Sequence, residues 1–121
     1  MLTGQGIIMA KDDYFVIAYK LLTILYVSLK SGKTISNDQL KQLSEGIPFE
    51  YWEYILKSLN EECYVTGVIS ISSLSGDSIK ITNLQITPKG IEYLQDNSKM
   101  QKVKDFLKET RSWFELLAQF K

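Results

Sequence analysis

The chain has 121 residues, 45% of them hydrophobic and 23% charged, which is the composition of one globular domain able to bury roughly two-thirds of its unfolded surface. Lysine plus arginine and aspartate plus glutamate number 14 each, so no global field draws it toward a polyanion or an anionic membrane. There is no histidine and only one cysteine, Cys63, which excludes Ser-His and Cys-His catalysis, the commonest zinc ligand and an internal disulfide.

Residues 1–10 read as a flexible lead-in. They carry no basic n-region, and Gly4-Gln5-Gly6 lacks the preceding strand and following lysine of a phosphate loop. A first helix is predicted from Lys11 to Lys30, with Asp12 and Asp13 at its positive end. Its apolar residues, from Tyr14 and Phe15 through Leu21, Leu22, Ile24 and Leu25, leave a narrow polar stripe of Asp13, Lys20, Thr23 and Lys30. A helix that apolar belongs at the centre of a core. Tyr14–Leu29 spans only 16 residues and contains Lys20, short of the roughly 20 apolar residues of a membrane span. Gly32 is placed to end the helix in a left-handed cap.

Lys33-Thr34-Ile35 is predicted as a very short strand. Ser36-Asn37-Asp38-Gln39 matches the S-x-x-Q capping box and opens a second helix, Asn37 to about Ser44, that buries Leu40 and Leu43. Gly46 stops it, and Pro48 is expected at the first position of a third helix running to Glu62. There Trp52, Ile55, Leu56 and Leu59 follow the i, i+3, i+4, i+7 rule. The short glycine-containing link between these helices is that of a helix-turn-helix. Cys63, following a helical run, reads as a small buried apolar residue, and a lone thiol fits the cytoplasm.

After Cys63 the period changes. Tyr64–Ser72 and Ile79–Ile86 are rich in β-branched residues and flank a Gly-containing loop, Ser73–Ser78, as in a hairpin. Apolar parity flips between Ile81 and Leu84, so a bulge or strong twist is expected near Thr82-Asn83. Thr87 then caps a fourth helix with Pro88 at N1, and Gly90 allows close backbone packing. Ile91 and Leu94 supply its buried face. A last helix is predicted from Lys99 to near the end, with Ser98 as its N-cap. Met100, Val103, Leu107, Phe114 and Leu117 form its stripe, while Phe106, Trp113, Leu116 and Phe120 lie off it. The order is that of an α+β winged helix over residues 11–98, followed by a packing or dimerisation element over residues 99–121.

Three phrases, Met9-Ala-Lys-Asp-Asp-Tyr-Phe15, Glu50-Tyr-Trp-Glu-Tyr54 and Ile86-Thr-Pro-Lys-Gly-Ile-Glu-Tyr-Leu94, resemble the small YjcQ proteins of Firmicutes and their phages. The resemblance covers about Met9 to Trp113. It implies a winged-helix fold and a bacterial or prophage origin, and it brings no catalytic residues.

Segment charges narrow the function. Ser36–Glu62 carries two lysines and six acids, net −4, whereas Lys99–Lys121 carries six basic and three acidic residues, net +3. The helix-turn-helix is therefore the most acidic part of the chain, where a reader of duplex DNA should be neutral or basic. Its outer face offers Glu50, Tyr51, Glu53, Tyr54, Lys57 and Ser58 as the candidate contact residues, and the wing offers Lys80. Glu50 and Glu53 also suit the positive end of the helix dipole. No carboxylate pair sits beside a nucleophile or ligand set, so no enzyme, metal or cofactor is expected. The expected protein is a non-enzymatic regulatory or accessory binding protein, a homodimer through its C-terminal helix, with DNA or another protein as its target. One alternative is a sequence-specific DNA-binding regulator. Another is an interaction module acting only through a homodimer, whose interface would be Trp113, Phe114, Leu117 and Phe120.

Overall fold

A computed structural model of the chain describes Ala10 and residues 13–121. The expected lead-in over residues 1–9 and the helix start at Lys11 and Asp12 lie outside the described residues. The first helix, α1 (Tyr14–Lys30), is capped by Asp13, whose carboxylate accepts from the Phe15 N–H at 3.2 Å. Val16, Ala18, Leu22 and Ile24 on α1 are fully buried, each large side chain contributing roughly 1.5–3 kcal/mol of transfer free energy. Gly32 (φ 71°) closes the helix: the Lys33 N–H donates to the Ser28 carbonyl at 2.9 Å and the Gly32 N–H to that of Leu29 at 3.1 Å, both bonds of a Schellman motif.

Ser36 and Gln39 form the full capping box of α2 (Asn37–Leu43). The expected strand at Lys33–Ile35 does not form, because the Schellman motif and the capping box together leave too few residues for a ladder. Ile35 is nevertheless buried. Pro48 is the N-cap of α3 (Phe49–Glu61) rather than its first residue, with an extended ψ of 137° and no side-chain cap. The stripe Trp52, Ile55, Leu56, Leu59 is buried throughout. Cys63 is exposed, contrary to expectation, because it occupies the left-handed position (φ 65°) of a second Schellman motif. There the Tyr64 N–H donates to the Leu59 carbonyl at 2.9 Å.

The hairpin joins β1 (Val65–Ser73) to β2 (Gly76–Ile86). The expected loop shrinks to Leu74-Ser75, since Ser73 pairs with Gly76 and the Ser73 hydroxyl donates to the Gly76 carbonyl at 2.8 Å. Thr66 pairs with Gln85 but Val68 with Ile81, so Gly67 alone faces Thr82, Asn83 and Leu84. This bulge, with Asn83 at φ 50° and Gly67 at φ 102°, lies where the parity flip placed it. It turns Leu84 and Ile86 into the core. A Cβ on Gly67 would overlap the Thr82 carbonyl oxygen and come within 2.9 Å of that of Asn83. Gly67→Ala is expected to cost about 3 kcal/mol by chemical denaturation. Gly32→Ala has open space around its Cβ and should cost about 1 kcal/mol. Equal losses would show that the strand yields and the overlap is immaterial.

Helix α4 (Pro88–Asp96) is fastened to the end of α3. The Thr87 hydroxyl donates to the Cys63 carbonyl at 2.6 Å and accepts from the Gly90 N–H at 3.0 Å. A Cβ on Gly90 would collide with the Tyr64 carbonyl oxygen, the close approach expected of that glycine. Tyr64 and Tyr93 stack alongside, ring centroids 4.2 Å apart and 13° from parallel. Burial, then the charge of Tyr64, pushes the Tyr93 hydroxyl up to about 12 from its ordinary value of 10.0. Because the unfolded state ionises first, this contribution to stability is complete below pH 10 and is lost as pH rises toward 12. Tyr93→Phe should flatten the decline in stability across that window. An equally steep decline in the variant would assign it to other groups.

The last helix divides. Asn97, not Ser98, caps α5 (Ser98–Phe106), its side-chain oxygen accepting from the Lys99 and Met100 N–H groups at 2.9 and 3.2 Å. Leu107 ends α5, and α6 (Arg111–Ala118) follows. Met100, Val103 and Leu107 are buried as one stripe, yet Trp113 and Phe120 are buried too. A straight helix could not send both sets inward, and the break at Leu107–Thr110 re-aims the second. The Trp113 ring lies 6.2 Å from that of Tyr19, with the Lys20 ammonium 6.0 Å from its centroid. The chain end folds back over α2, where the Gln42 amide donates to Gln119 at 3.4 Å.

Among the described residues the architecture is thus six helices and a two-stranded antiparallel hairpin. It is an α+β fold with the element order of a winged helix extended by C-terminal helices. α1 lies against α3, α4, α5 and β2. No described helix is long and apolar enough to cross a membrane.

Candidate partner-binding face

Since α3 sinks its apolar stripe, the residues between face outward. Glu50, Glu53, Tyr54, Lys57 and Ser58 share one shallow groove of about 320 Å³ with Glu61. The groove is acidic: three glutamates against one lysine give a net charge of −2. Tyr54 is 62% exposed, and its ring meets that of Tyr14 edge-on at 6.2 Å. The Ser58 hydroxyl shares a 2.7 Å hydrogen bond with the Tyr14 hydroxyl, so that edge of the groove is held in place by α1. Five of the six expected contact residues are brought together. Tyr51, half-buried, is not part of the groove. Lys80 also stands outside it, exposed on β2 opposite Ile69.

The periodicity of α3 puts Glu61 on this outer face, though not among the expected contact residues, and it gives no sign of Tyr14 or of the 71% exposed Phe49. For Glu61 the signal was present, since Glu50, Tyr54, Lys57 and Glu61 continue one ridge at i, i+4, i+7, i+11. Tyr14 comes from another helix, and no local spacing announces it.

Beyond Val68 the β1 side of the hairpin is open, while Ile79 and Ile81 of β2 stay half-buried against the core. Ile69, Ile71 and Leu74 are exposed, and the only charges from Ile69 to Ile81 are Asp77 and Lys80. The expected interface near the C-terminus is split: Trp113 and Phe120 are interior residues of this chain, leaving Phe114, 49% exposed, and the half-buried Leu117 at the surface. Their burial follows from the helix break, which spends two of the four aromatic and aliphatic anchors on α1 and α2. Among the described residues no group of three or more Cys, Asp or Glu side chains is placed to hold a metal ion.

A helix-turn-helix followed by a two-stranded hairpin and C-terminal helices defines a small α+β protein. The family model described as YjcQ protein matches residues 19–113, and the chain belongs to that family. The match takes in Glu50–Tyr54 and Ile86–Leu94, while Met9–Phe15 falls before it. No curated protein and no solved structure matches the chain.

Proposed function

We propose that this YjcQ-family chain is a non-enzymatic regulatory or accessory protein, cytoplasmic and of bacterial or prophage origin, that acts by binding another protein through the outer face of α3. The observation that carries this reading is the groove of Glu50, Glu53 and Glu61 around a single Lys57. Such a face repels phosphates, whose neutralisation supplies most non-specific DNA affinity, and it complements a lysine- or arginine-rich protein surface. The hairpin supports the same choice, because from Ile69 to Ile81 its single cation, Lys80, is offset by Asp77 and gives no net attraction to a phosphate backbone. The exposed Tyr54 and Phe49 supply aromatic area of the kind that anchors protein interfaces.

Fluorescence anisotropy at low ionic strength tests the reading directly. A labelled oligolysine peptide should bind and be released by salt, and Glu50→Gln with Glu53→Gln should weaken it. A labelled random-sequence duplex should not bind. Duplex binding that falls steeply with salt would overturn the proposal and favour a DNA-binding regulator.

A further inference from the structure

The outer half of the hairpin leaves one edge of β1 without a neighbour. Ser73 and Gly76 flank a two-residue turn and so exchange both hydrogen bonds of a narrow antiparallel pair. Alternation from that pair commits the backbone groups of Ile71 and Ile69 to the ladder with β2. It turns the N–H and C=O groups of Ser72, Ser70 and Val68 outward. Among the described residues no third strand lies on that edge. Ile69 and Ile71 share a face with Lys80 and Ser78, and both isoleucines are exposed. The other face, with Val68, Ile79 and Ile81, turns toward the core.

Free edges are ordinarily protected by lysine, proline or a bulge. The bulge opposite Gly67 guards only the base of β1, and Val65–Ser73 contains no charged residue and no proline. The run Val68-Ile-Ser-Ile-Ser72 is also self-complementary. Laid antiparallel on a second copy about Ser70, it sets Ile69 opposite Ile71 and Ser72 opposite Val68. The hydrogen-bonding parity is met, because Ser70 is an outward residue. The Ile69–Ile71 pairs then fall at non-hydrogen-bonded positions, where Cα atoms approach to about 4.5 Å and side chains touch. Sliding by two residues in either direction leaves one isoleucine of each copy opposite Ser73 or Gly67, so this register matches the apolar residues best.

We propose that the free edge of β1 is the contact between two copies of this chain, paired antiparallel through Val68–Ser72 about a two-fold axis at Ser70. The result is a four-stranded sheet in the order β2-β1-β1-β2, with Ile69 and Ile71 of both copies joined in one apolar strip. Two strands alone are marginal, and four with an apolar face are not. The contact is isologous, so it closes at two copies. Asp77 and Lys80 lie on β2, where they keep charge at the outer edges of the enlarged sheet and away from the axis. The site stands independently of the protein-binding reading of the α3 face, and either can fail without the other.

Sedimentation equilibrium of the full chain across a concentration series tests it: the mass should rise from that of one chain to that of two. Ser70→Pro removes an outward N–H and leaves the ladder to β2 intact. It should hold the chain monomeric at every concentration with the circular dichroism spectrum unchanged. If that variant fails to fold, Ile69→Lys with Ile71→Lys, both at exposed positions, should give the same loss. Cysteine cross-linking reads the register, in a Cys63→Ser background because Cys63 is itself exposed. Ser70→Cys meets its own counterpart with Cα atoms about 5.5 Å apart, within disulfide reach, and should oxidise to a covalent dimer. Ser72→Cys, opposite Val68, should not. The proposal is overturned if the wild-type chain stays monomeric throughout, if its dimer survives the edge variants, or if Ser72→Cys cross-links as readily as Ser70→Cys. A dimer lost in Phe114→Ala but kept in Ser70→Pro would equally overturn it, by placing the contact on α6.

Discussion

Trp113→Ala is expected to cost about 3–5 kcal/mol of folding stability, the range for removing a buried aromatic side chain. Phe114→Ala, one residue along, should stay within about 0.5 kcal/mol if its surface is free. The contrast follows from exposure: Trp113 is 4% exposed against Tyr19 and beneath Lys20, while Phe114 is 49% exposed. Against a total stability of about 5–15 kcal/mol, the first loss would lower the melting temperature by several degrees at the least. Chemical denaturation at two protein concentrations measures both variants. A concentration-dependent midpoint, with Phe114→Ala as costly as Trp113→Ala, would mean that α6 is covered by a second chain instead. Truncation after Arg111 removes Trp113 and Phe120 together, so it tests the monomer core and not an interface alone.

The second large effect concerns charge. Replacing Glu50, Glu53 and Glu61 with lysine takes the groove from three acids and one base, net −2, to four bases, net +4. The variant should lose oligolysine binding and acquire duplex DNA binding whose log affinity falls with log salt by about 0.9 per phosphate neutralised. The fold should tolerate the change, since the apolar stripe of α3 is untouched; lysine at position 50, in the first turn, opposes the dipole at a cost of about 0.3–1 kcal/mol, while lysine at position 61, at the C-terminal end, suits it. Wild-type chain that binds duplex as tightly as the triple variant would show that the α3 face plays no part in choosing the partner. Unchanged oligolysine affinity in the variant would place that binding elsewhere on the surface.

Several elements were legible because their causes are local. The Trp52, Ile55, Leu56, Leu59 stripe is a periodicity, the Ser36/Gln39 capping box is a spacing, and the Thr87-Pro88 start pairs a side-chain acceptor with a residue that needs no N–H. Even the bulge opposite Gly67 was written in the parity of Ile79, Ile81, Leu84 and Ile86, because a strand has only two faces. The acidic character of the helix-turn-helix could likewise be counted directly. These features arise from residues a few positions apart, and nothing distant can easily reverse them.

What lay beyond the sequence was decided by competition between segments for the same buried surface. The C-terminal stripe is compatible with a straight helix offering Trp113, Phe114, Leu117 and Phe120 to a second copy. Packing on α1 and α2 instead breaks the chain after Leu107 and buries Trp113 and Phe120. The Tyr14–Ser58 hydrogen bond, 44 residues apart in sequence, is of the same kind. The sequence by itself determined the first four helices, the hairpin, the bulge and the acidity of α3, since these are set by neighbouring residues. Only the tertiary structure decided which apolar faces are spent inside the chain, because burial is a property of the surface that comes to cover a residue.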